Sequence, residues 1–429
     1  EDGQGELRTG ENGQKEVRYS PLGTFPPAEE SMELSERALS VQASPIRRLT
    51  PLLLEAKKRG ITVHHLNIGQ PDIETPKVFW DAIKNYEEKV LAYGLSDGLP
   101  ELKSAVVDYF ARYNILLRQT DIQVTTAGSE ALLYSLCLVS DPGEEVIVFE
   151  PFYTNYNGFG TIAGIKTVPV TTKAENGFSI PSAEEIEKKI TSRTKAMIVC
   201  SPNNPTGHIM SPEEMERIAG IAKKHDLFII SDEVYREFTY EGAKATSFLE
   251  FKDVEDRVIV VDSISKRFSA CGARVGFIVC KNPEIMSYAL KFAQARLCPP
   301  TLEQLGALAA YRMDPSYFDP IRTEYQNRRD ALIDTLHSNP EILVEKPQGA
   351  FYMMAKLPIS DSDDFASWLL KDFNVDGETT MVAPGDGFYA TKGLGTDEVR
   401  LAYVLNVERT KRAAQILMKG LEEYKRKKR

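Results

Sequence analysis

Short apolar runs alternate with polar, helix-patterned stretches from residue 127 to about residue 279, a rhythm that predicts a mostly parallel sheet flanked by helices. The runs expected as strands are 145–149, 196–200, 227–231, 257–262 and 275–280, and each ends beside polar residues. In open α/β sheets ligands bind outside the carboxyl ends of the strands, so chemistry is expected there. Toward the end of the chain helical periodicity appears near 320–337, 361–372 and 407–426, with strands expected at 350–355 and 399–403. These elements predict a smaller α+β domain. Residues 1–31 are polar, rich in Gly and Glu and without periodicity, and the first methionine is Met32; they read as a disordered or non-native leader.

The 429 residues are too many for one simple core and fit two domains, since domains cluster near roughly 100–200 residues. The formal net charge of −10 argues against a general electrostatic grip on nucleic acid or an anionic membrane, while leaving room for small anions held locally. No apolar run reaches the ~20 residues that cross a bilayer. The five cysteines, Cys137, Cys200, Cys271, Cys280 and Cys298, show no CxxC spacing and read as reduced thiols, which predicts a cytoplasmic protein. The basic run 425–429 reads as a solvated helix end, where cations suit the dipole.

Four segments carry the candidate chemistry. The first, S-x-S-K-x7-R-x-G from Ser263 to Gly276, follows a strongly apolar run and places Lys266 at a strand's carboxyl end between Ser263 and Arg274. A lone lysine in a loop is ordinarily surface charge. Here two anion ligands flank an amine that forms Schiff bases once burial or nearby positive charge lowers its pKa. The second segment ends a strand at Asp232, with Tyr235 three residues on. An acid there is ordinarily a cap or turn residue. The third is Ser201-Pro202-Asn203-Asn204-Pro205-Thr206-Gly207, a turn by composition, in which two prolines bracket the asparagines and aim one amide. The fourth is Thr125-Thr126-Ala127-Gly128-Ser129-Glu130, a small-residue turn opening a helix whose free N–H groups attract phosphate.

In this order the four segments resemble fold-type I pyridoxal-phosphate-dependent aminotransferases of class I/II, the group that includes aspartate aminotransferases, from about residue 35 to the end. The resemblance implies an α/β fold with a mostly parallel seven-stranded sheet in a large domain at 76–310, and a smaller α+β domain from 32–75 and 311–429. It implies pyridoxal 5'-phosphate as cofactor, carried by Lys266 as a Schiff base. Asp232 would pair with the pyridine nitrogen, and Asn204 and Tyr235 would bond the phenolate oxygen. Gly128, Ser129, Ser263 and Arg274 would hold the phosphate, and Tyr153, otherwise a core aromatic, would stack on the ring.

On the substrate side the resemblance assigns Arg400 to the α-carboxylate and Gly69 to the backbone that closes over it. Tyr93 would reach the neighbour's phosphate in a homodimer with active sites at the interface. Ala293 stands where one familiar dicarboxylate-binding residue would be, and Arg296, one helical turn on, either replaces it or is an interface salt-bridge residue. The expected reaction is ping-pong transfer of an amino group from an L-amino acid, aspartate foremost, to a 2-oxo acid, 2-oxoglutarate foremost. Aromatic, alanine or broad specificity, a carbon–sulfur β-lyase and an aminotransferase-like ligand-sensing regulator are the alternatives. Neither a metal, nucleic acid nor a membrane is expected as a partner.

Overall fold

Runs such as Val146-Ile147-Val148 and Val258-Ile259-Val260-Val261 are β-branched throughout and fully buried, the signature of strands covered on both faces. The computed structural model describes residues 33–428, so the 1–31 leader lies outside the described residues. The short helix Glu36–Ser40 belongs to one compact unit, and the rest of the fold lies within a second, Val41–Arg429.

Among the described residues there are twelve strands, β1 (Thr62–His65), β2 (Ile122–Thr126), β3 (Glu145–Glu150), β4 (Lys166–Thr171), β5 (Thr194–Cys200), β6 (Phe228–Asp232), β7 (Val258–Ser263), β8 (Val275–Val279), β9 (Tyr352–Lys356), β10 (Glu378–Met381), β11 (Ala383–Pro384) and β12 (Glu398–Ala402). Seven form one sheet in the order β2-β8-β7-β6-β5-β3-β4, in which β8 runs against both neighbours and every other pair is parallel. This is the expected seven-stranded, mostly parallel sheet. Alternate residues point to opposite faces. Val146, Val148, Ile198, Ile230, Ile259 and Val261 join one apolar cluster with the helix Ala127–Val139, while Ile147, Met197, Val199, Ile229, Val258 and Val260 join the other. A three-stranded antiparallel sheet, β11-β12-β9, and a parallel pair, β1-β10, complete the strands.

The expected strands and late helices appear within one to two residues at most ends, the last helix being Val407–Lys428. The runs that become β1, β2, β4, β10 and β11 were not among those expected. β2 buries Gln123 and Thr125, so it shows no apolar run. β4 is an edge strand carrying Pro169, which the edge tolerates because one side of the strand needs no ladder bonds. Register then aligns the site: Cys200 at the end of β5 lies beside Asp232 at the end of β6, and Asp232 beside Val261 of β7. The chain segments after β5, β6 and β7 therefore emerge together at one edge.

Candidate active site

β7 passes directly into the four-residue helix Ile264–Arg267, which carries Lys266 out of the strand end. The Lys266 Nζ donates to the carbonyl of Gly69 at 2.9 Å and lies 4.0 Å from Cys271 Sγ. Burial by itself lowers the ammonium pKa. The groups of Tyr352, Cys271 and Tyr153, negative when ionised, outweigh it, and the pKa ends above its ordinary value. The lysine is therefore not the depressed-pKa amine expected from its surroundings: in this state it is an ammonium at neutral pH.

Asp232 ends β6 as a buried carboxylate. Burial pushes its pKa up to about 6, against the pull of the Tyr156 hydroxyl, which donates to Oδ2 at 2.7 Å. No ion pair to it occurs among the described residues. Tyr235, one turn further on, is buried, and burial holds its phenol well above the ordinary value, so it remains a donor at neutral pH. Asn204 reaches it from the loop after β5, with Nδ2 3.4 Å from the Tyr235 oxygen. The Asn204 Oδ1 accepts from Arg400 Nη1 at 3.1 Å, which fixes the amide's orientation. Tyr153 packs edge-on against Tyr156, with ring centroids 5.6 Å apart.

The anion side is built from three elements. Gly128 and Ser129 lie in the first turn of the helix Ala127–Val139, where backbone N–H groups have no helical acceptor. A Cβ added to Gly128 would fall 3.6 Å from the Cβ of Ser263, so Ser263 lies against that turn. The Arg274 carbonyl accepts from Ala127 N at 3.1 Å, and its guanidinium is exposed and bonded to the Cys271 carbonyl, with no carboxylate partner among the described residues. Gly276 explains the last position of the motif. A Cβ there would sit 2.3 Å from the Ala127 carbonyl carbon and 2.5 Å from Gly128 N, so only glycine lets the helix start this close to β8.

On the other side Arg400 of β12 is 2% exposed. Its Nη2 donates to the Asn67 carbonyl at 2.6 Å, and its guanidinium carbon lies 4.6 Å from the Tyr352 ring centroid and 4.9 Å from that of Phe388. Among the described residues its buried Nε has no hydrogen-bond partner. Burial lowers the pKa of Arg400, but a guanidinium stays charged at neutral pH. A buried cation next to aromatic rings and without a carboxylate is built to receive one.

Two expected residues stand apart from this cluster. Arg296 lies with Nε 3.3 Å from Glu130 Oε1, and its Nη2 donates to the Ser96 and Val124 carbonyls at 3.3 Å. It is thus engaged within the chain. Tyr93 is 80% exposed, and among the described residues it has no hydrogen bond or ring contact to the cluster. Conversely, Tyr156, Tyr352, Asn67 and Phe388 belong to the site without having been singled out from the sequence. Three of the four are aromatics in apolar surroundings, which look like core residues until their partners are known.

The donor set matches pyridoxal phosphate group by group: an amine for the aldehyde, an uncompensated buried carboxylate for the ring nitrogen, a phenol and an amide for the phenolate, and a helix start with serines and an arginine for the phosphate. The sequence matches the family model described as "Aminotransferase class I and II" over residues 61–417. A probable aspartate/prephenate aminotransferase of Aquifex aeolicus is 31% identical over 395 residues, 91% of this chain and 99% of that protein. Aromatic-amino-acid aminotransferase 2 of Thermococcus litoralis is 33% identical over 408 residues, covering 92% of this chain and 100% of that protein. Among solved structures, the alanine aminotransferase of Pyrococcus furiosus aligns with a TM-score of 0.83 at 33% identity, over 91% of this chain and 100% of that one. The aspartate aminotransferase of Thermus thermophilus with maleate gives 0.79 at 29% identity, over 92% and 100%. Fold, donor set and sequence match thus agree, and the chain belongs to the class I and II aminotransferases, pyridoxal-phosphate-dependent enzymes of fold type I.

Proposed function

We propose that Lys266 carries the cofactor and moves the proton, while Arg400 orients the amino acid by its α-carboxylate. The observation that carries this reading is the buried Arg400 guanidinium, whose Nε has no hydrogen-bond partner among the described residues and which reaches Lys266 through Tyr352 and Gly69. Pyridoxal phosphate supplies the electron sink that lets the substrate α-carbon give up a proton. Lys266 Nζ takes that proton as general base and returns it as general acid. Asp232 holds the cofactor's ring nitrogen in its protonated form. Tyr235 and Asn204 donate to the phenolate oxygen, and the first turn at Gly128 and Ser129, with Ser263 and Arg274, grips the phosphate. The reading keeps the expected division into a large cofactor-binding domain at 76–310 and a small domain at 32–75 and 311–429.

Aspartate is the leading donor and 2-oxoglutarate the leading acceptor, since relatives named for aspartate cover almost the whole chain. A second reading, an aromatic or other uncharged side chain, is favoured by the engagement of Arg296 with Glu130, which removes the expected cation for a distal carboxylate. Exposed Val90, Leu91, Tyr93 and Leu95 suit a face covered in a homodimer. Among the described residues no helix is long and apolar enough to cross a membrane, and the free thiols of Cys200, Cys271, Cys280 and Cys298 suit the cytoplasm.

Adding L-amino acids singly to the holoenzyme and following its visible absorption tests the reading. The amino acid that changes the spectrum at the lowest concentration, with its 2-oxo acid appearing, is the donor. Pyruvate released from a cysteine thioether in place of transfer supports the β-lyase alternative, and a spectrum indifferent to every amino acid refutes the proposal.

A further inference from the structure

We propose that Tyr352 is a positioning residue that couples the carboxylate clamp at Arg400 to the hydroxyl of Tyr235; this rests on the roles given above to those two residues. In the antiparallel pair of β9 and β12, Tyr352 lies opposite Ala402 and Arg400 opposite Met354. Alternate residues share a face, so Tyr352 and Arg400 are diagonal neighbours on one side of the sheet. The Tyr352 ring supports the Arg400 guanidinium, 4.6 Å from its centroid, while its hydroxyl lies 2.9 Å from the Tyr235 hydroxyl and 3.3 Å from the Gly69 carbonyl.

One hydroxyl proton faces two acceptors. The proposed role of Tyr235 spends its proton on the cofactor's phenolate oxygen, so in the 2.9 Å contact between the two hydroxyls Tyr352 is the donor and Tyr235 the acceptor. Tyr235 keeps its own proton for an acceptor on its other side, and a donor chain of this kind strengthens its terminal bond. The hydroxyl also accounts for the glycine at 69: a Cβ there would fall 1.8 Å from the Tyr352 oxygen. Tyr352 is 2% exposed, so these contacts are made away from bulk solvent. Ring and hydroxyl thus have separate tasks. The ring holds the arginine, and the hydroxyl sets how strongly Tyr235 donates and therefore the pH at which the Lys266 nitrogen loses its proton in the holoenzyme.

Tyr352→Phe keeps the ring and removes the hydroxyl; Tyr352→Leu removes both. The readouts are the dissociation constants of two unreactive carboxylates, maleate and 3-phenylpropionate, the pH midpoint of the holoenzyme's visible absorption, and kcat and KM. Tyr352→Phe is expected to keep KM and the tighter-binding probe's constant within about twofold and to lower kcat about fivefold, the worth of one hydrogen bond. It should raise the absorption midpoint by about half a unit or more, because less negative charge is stabilised on the phenolate beside the Lys266 nitrogen. Tyr352→Leu is expected to weaken the carboxylate probe about tenfold in addition. Combined with Tyr235→Phe, the Tyr352→Phe change should add nothing further to the midpoint. An unmoved midpoint in Tyr352→Phe, or additive shifts in the double variant, overturns the coupling while leaving the parent roles standing. Unchanged carboxylate binding in Arg400→Ala, or an unmoved midpoint in Tyr235→Phe, overturns those roles and the coupling with them.

Discussion

The hydroxyl of Tyr156 donates to Asp232 Oδ2 at 2.7 Å, and both residues are buried. Among the described residues it is the shortest bond the carboxylate receives, ahead of that from Val234 N at 3.4 Å. Burial nevertheless wins, and the Asp232 pKa is pushed up to about 6. An unfolded aspartate titrates near 3.9. Between those values the folded protein binds more protons than the unfolded one, so stability falls as pH rises from about 4 to about 6 and stays lowered at neutral pH. In the cofactor-free protein Asp232→Asn should therefore gain stability relative to the parent on going from pH 4 to pH 8, by about 3 kcal/mol. Urea unfolding of both proteins at the two pH values reads this directly, and a difference that does not change with pH contradicts it.

Removing the donor should move the same group further. Tyr156→Phe leaves Asp232 with burial unopposed by its main partner, so its titration rises above that of the parent. The expected signature is a wider pH dependence of unfolding, lost again when Asp232→Asn is added.

Arg400 tests the carboxylate clamp. A guanidinium presents two parallel N–H groups to a carboxylate and a lysine ammonium only a point charge. Arg400→Lys is expected to raise KM for every amino acid tried and to lower kcat/KM about a hundredfold or more, an effect of about 3 kcal/mol. Preserved KM would remove Arg400 from substrate recognition.

Arg296 and Glu130 form a partly buried pair at 3.3 Å. A double-mutant cycle with Arg296→Ala and Glu130→Ala should show a coupling in folding stability of about 1 kcal/mol. Arg296→Ala should change kcat/KM for aspartate and for phenylalanine by similar factors. Selective loss of aspartate activity, about a hundredfold or more, would instead make Arg296 the receptor for a distal carboxylate.

Gly276→Ala should damage the phosphate side without touching a ligand. Its Cβ meets the Ala127 carbonyl carbon at 2.3 Å and Gly128 N at 2.5 Å, so the helix start must shift. Weaker binding of pyridoxal phosphate and of inorganic phosphate to the cofactor-free protein is expected together, and unaffected binding of both contradicts the cradle.

Strand positions were readable where β-branched residues ran together, as in β7, because burial on both faces leaves no polar position to confuse the pattern. They were unreadable in β2, where Gln123 and Thr125 are buried, and in β4, where Pro169 sits on an edge. Lys266, Asp232, Asn204 and Arg400 could be found because each is a reactive group placed at or just beyond a strand or within a distinctive motif. Tyr352 and Tyr156 could not, since a tyrosine's role depends on which groups meet its hydroxyl, and those come from distant segments. The placement of Arg296 has the same cause: its acceptors are at residues 96, 124 and 130, far away in sequence. The direction of the Lys266 pKa was missed because burial, legible as a strand end, was opposed by Tyr352, Cys271 and Tyr153, whose approach was not.

The proposed role of Lys266 requires that it bind the cofactor covalently. Borohydride reduction of the holoenzyme, followed by proteolysis and mass analysis of the peptides, tests it most directly. A single pyridoxyl-phosphate adduct is expected on the peptide that contains Lys266, absent from Lys266→Ala. An adduct on another lysine, or none on a holoenzyme that still transfers amino groups, would contradict it.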